Sequence, residues 1–403
     1  MVDSTAYAEL ALSHIRYLSE TIGGRGSTTH QERQGAQYAC DTMAGARIPS
    51  RLEPFRSGRS TYRPFVLAFG AALISTALYF ATHFRLVALV AGAISALSAW
   101  GMFAELDFSS NWMRKLLPTG SSQNAVGVVQ AKKNRRHRIV LLGHVDTHRT
   151  PVFYSSTTWH KLFVALVGGT FISLAVSAVV YILLAVTGWV WLHWALIVAT
   201  AVQLFALVLC VHADITPYSP GANDNASGVG TILALGHRLA QYPLQHTEVW
   251  LVADGCEELG CYGAAALVDQ HPDELRNATI IALDIVGAGD PAFLINDGLL
   301  RKYPVDSPTL SIARQVSKDH PALRAFEHAG IAYTDSAVLL KRGYRAFTID
   351  ALPREEAGAV QWHQMTDTVD RIELDCLRRV HEFVWNILTG IDQEQQSSAQ
   401  RST

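Results

Sequence analysis

No charged residue occurs between positions 162 and 211, and only the imidazole of His193 interrupts that stretch. A second apolar block, 64–104, is broken near its middle by His83 and Arg85. Each block is about twice the ~20 residues that an α-helix needs to cross ~30 Å of hydrocarbon. Each also has a turn-like centre, Ala81-Thr82-His83-Phe84-Arg85 in one and Thr187-Gly188-Trp189 in the other. The pattern predicts two helical hairpins, hence four membrane-spanning helices with the lipid bilayer as a partner. Trp100, Trp112, Trp159, Trp189, Trp191 and Trp194 fall near the expected helix ends, where interfacial aromatics belong. Composition agrees: 49% of residues are hydrophobic and 17% charged, against about 25% charged in a soluble domain.

The segment before the first block is polar and lacks the apolar core of a secretion signal. An even number of spans keeps both termini on one side. Arg51, Arg56, Arg59, Arg63, Arg114, Lys115, Arg149 and Lys161 flank the hairpins, while their tips carry Arg85 alone. By the positive-inside rule the polar bulk is expected to be cytoplasmic. Five scattered cysteines, with Cys210 inside an apolar run, argue against a disulfide framework and fit a reducing compartment. The balance of 33 basic and 35 acidic residues gives no reason to expect a nucleic-acid partner, and oligomeric state is left open.

Outside the two blocks the chain alternates strands with helices. Strands are expected at 138–143, 248–253, 279–283 and 344–349. Helical patterning covers 7–22, 31–46, 227–239, 260–269 and 308–317. The fold class is therefore α/β, with a mainly parallel, mixed sheet sandwiched by helices and interrupted by two transmembrane hairpins. The expected division is 1–60, 118–149 and 220–391 for one enzyme domain, 61–117 and 150–219 for the hairpins, and 392–403 for a disordered tail.

Ligands of such sheets bind at the carboxyl ends of the strands. There this chain places His144-Val145-Asp146, then Asp224 within Pro220-Gly221-Ala222-Asn223-Asp224-Asn225-Ala226-Ser227-Gly228. Glu257-Glu258 follow Asp254, Asp284 follows Leu283, and His363 comes last. Singly these are ordinary: a polar strand end, a helix cap, a solvated acidic pair, a surface imidazole. Together, two histidines with several carboxylates suit Zn²⁺, with Mn²⁺ or Co²⁺ as substitutes. Two ions sharing a carboxylate can polarise a carbonyl, activate a bridging water and hold a substrate. Of the adjacent Glu257 and Glu258, one can bind metal while its neighbour serves as general base.

Gly-His-Val-Asp, Pro-Gly-Ala-Asn-Asp-Asn-Ala-Ser-Gly, Asp-Gly-Cys-Glu-Glu-Leu-Gly, Leu-Asp-Ile-Val-Gly and the final His-x-x-x-Asp-Thr together resemble the zinc exopeptidases typified by bacterial leucyl aminopeptidases. Glutamate carboxypeptidase and the glutaminyl cyclases are relatives in that family, which has a phosphorylase/hydrolase-like zinc peptidase fold. The resemblance implies that Asp224 bridges two zinc ions, that His144 and Asp284 complete one site, and that Glu258 and His363 complete the other. It also implies that Glu257 is the general base and that Asp146 orients His144. Three features depart from the family pattern. Trp362 stands where relatives often have tyrosine, and Gln364-Met365 where they often have Thr-Pro, which leaves the oxyanion-stabilising group open. The second hairpin also separates His144 from Asp224, which are close in sequence elsewhere.

The function so implied is a membrane-anchored dizinc aminopeptidase acting on peptides. Carboxypeptidase, dipeptidase or aminoacylase chemistry on the same core is the second reading, and a catalytically inactive membrane receptor or subunit the third. The presence of all five ligand candidates and the base weighs against the third.

Overall fold

The computed structural model describes residues 4–353 and 362–400. The chain forms two compact units. One comprises Met1–Ser57, Gly120–His148 and Tyr218–Thr403; the other comprises Gly58–Thr119 and Arg149–Pro217.

The first unit is built on β1 (Ser50–Gly58), β2 (Thr119–Val129), β3 (His137–His144), β4 (Thr247–Asp254), β5 (Thr279–Leu283), β6 (Asp290–Leu294), β7 (Asn296–Asp297), β8 (Tyr303–Pro304), β9 (Phe326–His328) and β10 (Arg345–Leu352). Eight of these form one sheet in the order β1-β2-β4-β3-β5-β10-β6-β9, while β7 and β8 make a small separate ribbon. The four central strands β4, β3, β5 and β10 are parallel, with His144 opposite Asp254, and Leu142 opposite Ala282. Antiparallel pairing enters on both sides, between β2 and β4 and between β10 and β6. The four strands expected from sequence are these central ones. Buried on both faces, they read as continuous apolar runs such as Ile139-Val140-Leu141-Leu142. The outer strands are shorter or mixed in character, and their pattern does not announce them.

One sheet face packs on helices Ser227–Gln241 and Leu374–Gln400. Val229, Ile232, Leu235, Val380, Phe383 and Ile387 share a buried core with Leu141, Leu251, Ile281 and Phe347. Helices Tyr262–Gln270 and Asp335–Lys341 pack on each other, and the second also on β10 and β5. The intervening residues Val140, Leu142, Val252 and Ala282 are buried too, so both faces are covered.

The polar segment from 392, expected to be disordered, instead prolongs the last helix to Gln400; residues 401–403 lie outside the described residues. The reason is Asp392. It is buried and accepts hydrogen bonds from the amides of Gln245 and His246 at 2.8 Å each, and from the Thr247 hydroxyl at 2.9 Å. A polar composition here reflects a docked helix end.

The loops at the carboxyl end of the sheet converge on Arg25, whose side chain is fully buried. Its guanidinium donates to the carbonyls of Val145, Leu18, Gly23, Pro220 and Gly221 at 2.8–2.9 Å. Burial pushes this guanidinium down to about 10, against the pull of Asp367, Asp146 and Asp224, so it stays charged at neutral pH. Gly221 completes the junction in a left-handed conformation (φ 59°). A Cβ there would lie 2.3 Å from Thr147 Cγ2 and 3.1 Å from the Arg25 guanidinium.

In the second unit, helices Arg63–Thr82, Arg85–Leu106 and Thr157–Thr187, together with the stretch Val190–Ile215, are long and apolar enough to cross a membrane. The hairpin tips turn through left-handed residues, His83 (φ 51°) and Gly188 (φ 70°). Small and polar residues share the bundle interior with Phe69, Leu174 and Leu196, while the outward faces are large and apolar. Ala68, Ala72, Ala91, Ser95 and Ser98 are buried, and a Cβ on Gly92 would sit 3.2 Å from the Ala178 carbonyl. The Tyr181 hydroxyl donates to Thr76 at 2.7 Å, and Gln203 donates to Ser177 at 3.1 Å. Ile74, Leu86, Val186, Trp191 and Trp194 point outward and are exposed. That inversion suits lipid, where small residues let helices approach and polar side chains pair internally.

Arg25→Met removes five donors from buried carbonyls, each worth about 1–3 kcal/mol when orphaned. Its thermal transition in detergent should fall by more than about 5 °C. A transition within about 1 °C of wild type would show that these loops are held by other means.

Candidate active site

His144 ends β3, Glu257 and Glu258 follow β4, and Asp284 follows β5, so the parallel register brings three loop ends together. Asp224 is delivered by the loop before helix Ser227–Gln241, and His363 by the segment after β10. Asp224 lies between the two histidines. Its Oδ1 is 3.3 Å from His144 Nε2 and its Oδ2 is 3.2 Å from His363 Nε2. Each histidine faces a second carboxylate through the same nitrogen: His144 faces Asp284 at 3.5 Å, and His363 faces Glu258 at 3.2 Å. Glu257 Oε2 stands 4.0 Å from His144 Nε2. All six side chains are buried or nearly so.

The Asn-Asp-Asn-Ala-Ser-Gly motif explains how Asp224 is set. Asn225 accepts from the Gly228 amide at 2.9 Å and donates to the Leu283 carbonyl at 2.8 Å. Asn223 accepts from the Gly287 amide at 2.8 Å, and the Ser227 hydroxyl accepts from Val286 at 2.9 Å. The motif is thus a helix cap, and it is also a seam between the Asp224 loop and the strand end that bears Asp284. From the other side the Asp367 carboxylate accepts from the amides of Asn223 (2.7 Å) and Asp224 (3.0 Å).

The Asp146 carboxylate works differently from expectation. His144 Nδ1 lies 3.0 Å from the Asp146 backbone carbonyl but 3.6 Å from its carboxylate. The carboxylate instead accepts from the amides of Glu257 (3.1 Å) and Glu258 (3.3 Å) and from the Ser27 hydroxyl (2.6 Å). Asp146 therefore orients His144 chiefly through its main chain and fixes the glutamate pair with its side chain. Sequence reading missed Ser27, Arg25 and the role of Asp367. It also missed Glu32, which accepts from the Cys256 amide at 3.0 Å and that of Thr28 at 2.8 Å. It missed His148, which stacks on His363. The sequence signal for His148 was its place two residues after Asp146.

All five cysteines are free thiols. Cys256 and Cys261 are fully buried, and burial pushes both well above the ordinary thiol value. Cys261 Sγ contacts Glu257 Oε1 at 3.6 Å.

Carboxylates outnumber cations here, and the protonation equilibria respond. Burial alone would lower His144, but Asp146, Asp224 and Asp284 outweigh it and hold the imidazole well above its usual value. Burial also opposes charge on His363, yet Glu258 and Asp224 raise it to about 9. Burial pushes Glu257 far up despite His144, and Glu258 to about 7 despite His363. Asp224 goes the other way: burial is overcome by hydrogen bonds from both histidines, and it is held well below the carboxylate range. Asp284 Oδ1 is buried without a hydrogen-bond partner among the described residues.

Such a donor set fits metal ions. Zinc bonded at about 2.0–2.1 Å to two tetrahedral ligands sets those ligands about 3.3 Å apart. The nitrogen–oxygen separations across Asp224, Asp284 and Glu258 run from 3.2 to 3.5 Å. His144, Asp224 and Asp284 form one three-ligand group. Glu258 and His363 form a second group with His148, and Asp224 Oδ2 lies 3.2 Å from His363 Nε2.

Residues 197–388 match Peptidase family M28. Among curated proteins, the chain is 27% identical over 189 residues to aminopeptidase YwaD of Bacillus subtilis, covering 43% of this chain and 38% of that protein. It is 36% identical over 93 residues to a vacuolar membrane protease of Yarrowia lipolytica, covering 23% of this chain and 9% of the other. The matched region thus spans well under half the length of these relatives. Among solved structures, a zinc aminopeptidase from Bacillus subtilis superposes with a TM-score of 0.56 at 15% identity, covering 95% of this chain and 94% of that one. The chain thus matches Peptidase family M28 over just under half of its length, and it shares the fold of the zinc aminopeptidases.

Proposed function

We propose that this protein is a membrane-anchored aminopeptidase that uses two zinc ions. The observation that carries the reading is Asp224, which presents one oxygen to each of two histidines that each face a further carboxylate. His144 and Asp284 would hold one ion, Glu258 and His363 the other, with Asp224 shared. Bound there, the ions would polarise the scissile carbonyl and lower the pKa of water. Glu257, whose Oε2 stands 4.0 Å from His144 Nε2, takes the proton from the attacking water. As the C–N bond breaks it hands that proton to the leaving nitrogen. The amides of Glu257 and Glu258 are pinned by Asp146, so base and ligand keep a fixed offset. Release of single residues from peptide N-termini is supported by the aminopeptidase relatives.

Membrane anchoring rests on the four apolar helices and on the membrane-protease relative. The basic residues Arg56, Arg59, Arg63, Arg114, Lys115 and Arg149 lie at the non-tip ends of those helices, and by the positive-inside rule they support a cytoplasmic peptidase unit.

Elemental analysis of purified protein should find two zinc, or substituted manganese or cobalt, per chain, and one ion or none would refute the two-metal assignment. Glu257→Gln should keep both ions while kcat falls by at least about 10²-fold. Near-normal turnover in that variant would move the base elsewhere. For orientation, cysteines introduced at Gly188 and Ser121 should react differently with an impermeant maleimide in intact cells. Labelling at Gly188 with protection at Ser121 is expected, and the reverse pattern would overturn the cytoplasmic placement.

A further inference from the structure

His148 is not among the residues that face Asp224, yet it is built into the site. It is 5% exposed, and its imidazole lies on that of His363 with centroids 3.7 Å apart and planes 17° from parallel. One of its ring nitrogens is within 4.8 Å of ligand atoms of both Glu258 and His363. Proximity alone would suggest a further metal ligand, but the stacking decides against it. An imidazole nitrogen binds through a lone pair in its own ring plane, and two nearly parallel planes separated by a ring thickness do not meet at one ion. His148 therefore presents its face to His363, and its edge does not converge with that of His363.

That face has something to hold. His363 occupies a left-handed backbone conformation (φ 60°), a costly one for a residue with a side chain. Its ring meets Trp362 edge-on at 4.7 Å and His148 face-on. His148 is itself anchored. Its carbonyl accepts from the Ser219 amide at 2.9 Å, and the Ser219 hydroxyl donates to the Gln364 carbonyl at 2.9 Å. One serine thus ties the His148 segment to the His363 segment. The preceding Thr147 is fixed by Arg25, whose amide donates to its hydroxyl at 2.9 Å.

We propose that His148 is a positioning residue whose ring face holds His363 in its ligating orientation and thereby sets the affinity of the second metal ion. This rests on the two-metal reading above. The prediction is that ring shape matters and ring nitrogens do not.

The test uses full-length protein in detergent, stripped by chelator and titrated with Co²⁺, following calorimetry and the cobalt visible spectrum. Wild type should bind two ions. His148→Ala should bind one ion with wild-type affinity and the other at least about ten-fold more weakly, the scale expected when a ligand loses its support. His148→Phe, which keeps the stacking face, should restore the second affinity and the wild-type spectrum. His148→Gln, polar but without a ring, gives the same comparison as alanine should that variant not fold. Wild-type affinity for both ions in His148→Ala or His148→Gln overturns the proposal. So does a His148→Phe protein as weak as the alanine variant, which would assign the work to a ring nitrogen. Binding of only one ion by wild type would instead refute the two-metal reading itself, and the positioning role with it.

Discussion

Five carbonyl oxygens from three separate segments meet one guanidinium, that of Arg25, and the site depends on that convergence. Val145 lies between His144 and Asp146, and Gly221 is three residues before Asp224. Fixing those two carbonyls fixes the loops that carry a histidine and the shared carboxylate. Lysine could not substitute, because three donors on a point charge do not span five acceptors held in a planar fork. The charge matters as well as the geometry. Arg25 acts on Asp146, Asp224 and Asp367 as a permanent cation, whereas the imidazoles of His144 and His363 titrate.

That single cation cannot balance the carboxylates around it. Asp146, Asp224, Glu257, Glu258 and Asp284 are all buried within one cluster, and burial pushes Glu257, Glu258 and Asp284 upward. Neutralising them by protonation would leave an acid cluster with no nucleophile to activate. Bound divalent ions would reverse the electrostatics, since the same crowding that disfavours ionised carboxylates alone favours them as ligands. Metal affinity and stability of the loops are then one property, because unfolded chain offers no such site. The backbone seams of Asn223, Asn225 and Asp367 serve this end, holding carboxylates together that would otherwise repel.

Much of this was legible in the sequence because it is local. Runs such as Ile139–Leu142 announce doubly buried strands, and strand ends are where an α/β sheet binds ligands, so His144, Glu258 and Asp284 could be picked out by position. Charge-free blocks of hairpin length needed no tertiary information. What escaped was non-local. Arg25 looks like any arginine after a pair of glycines until five distant carbonyls surround it. Asp392 sits in a polar tail, and only its partners at Gln245, His246 and Thr247 reveal a docked helix. Asp146 was assigned by analogy to orient His144 with its carboxylate, yet the amides of Glu257 and Glu258, over a hundred residues away, claim that group. Stacking of His148 on His363 depends on two segments more than two hundred residues apart, and no spacing rule reaches that far.

The interruptions of the enzyme domain follow from the same geometry. The second insertion leaves the peptidase unit after His148 and returns at Tyr218, and the Ser219 amide is bonded to the His148 carbonyl. Exit and entry are therefore neighbours within that unit. The residues between them close a loop whose ends were already adjacent, and closure cost grows only slowly with length. A hairpin long enough to span a bilayer can then sit between His144 and Asp224 without disturbing either. Gly26 shows how tightly the return is received: a Cβ there would fall within the Tyr218 ring, 2.0 Å from its nearest atom. The junction is packed as closely as a core, so the peptidase unit is interrupted in sequence at the point where its own contacts are dense enough to hold the two ends together.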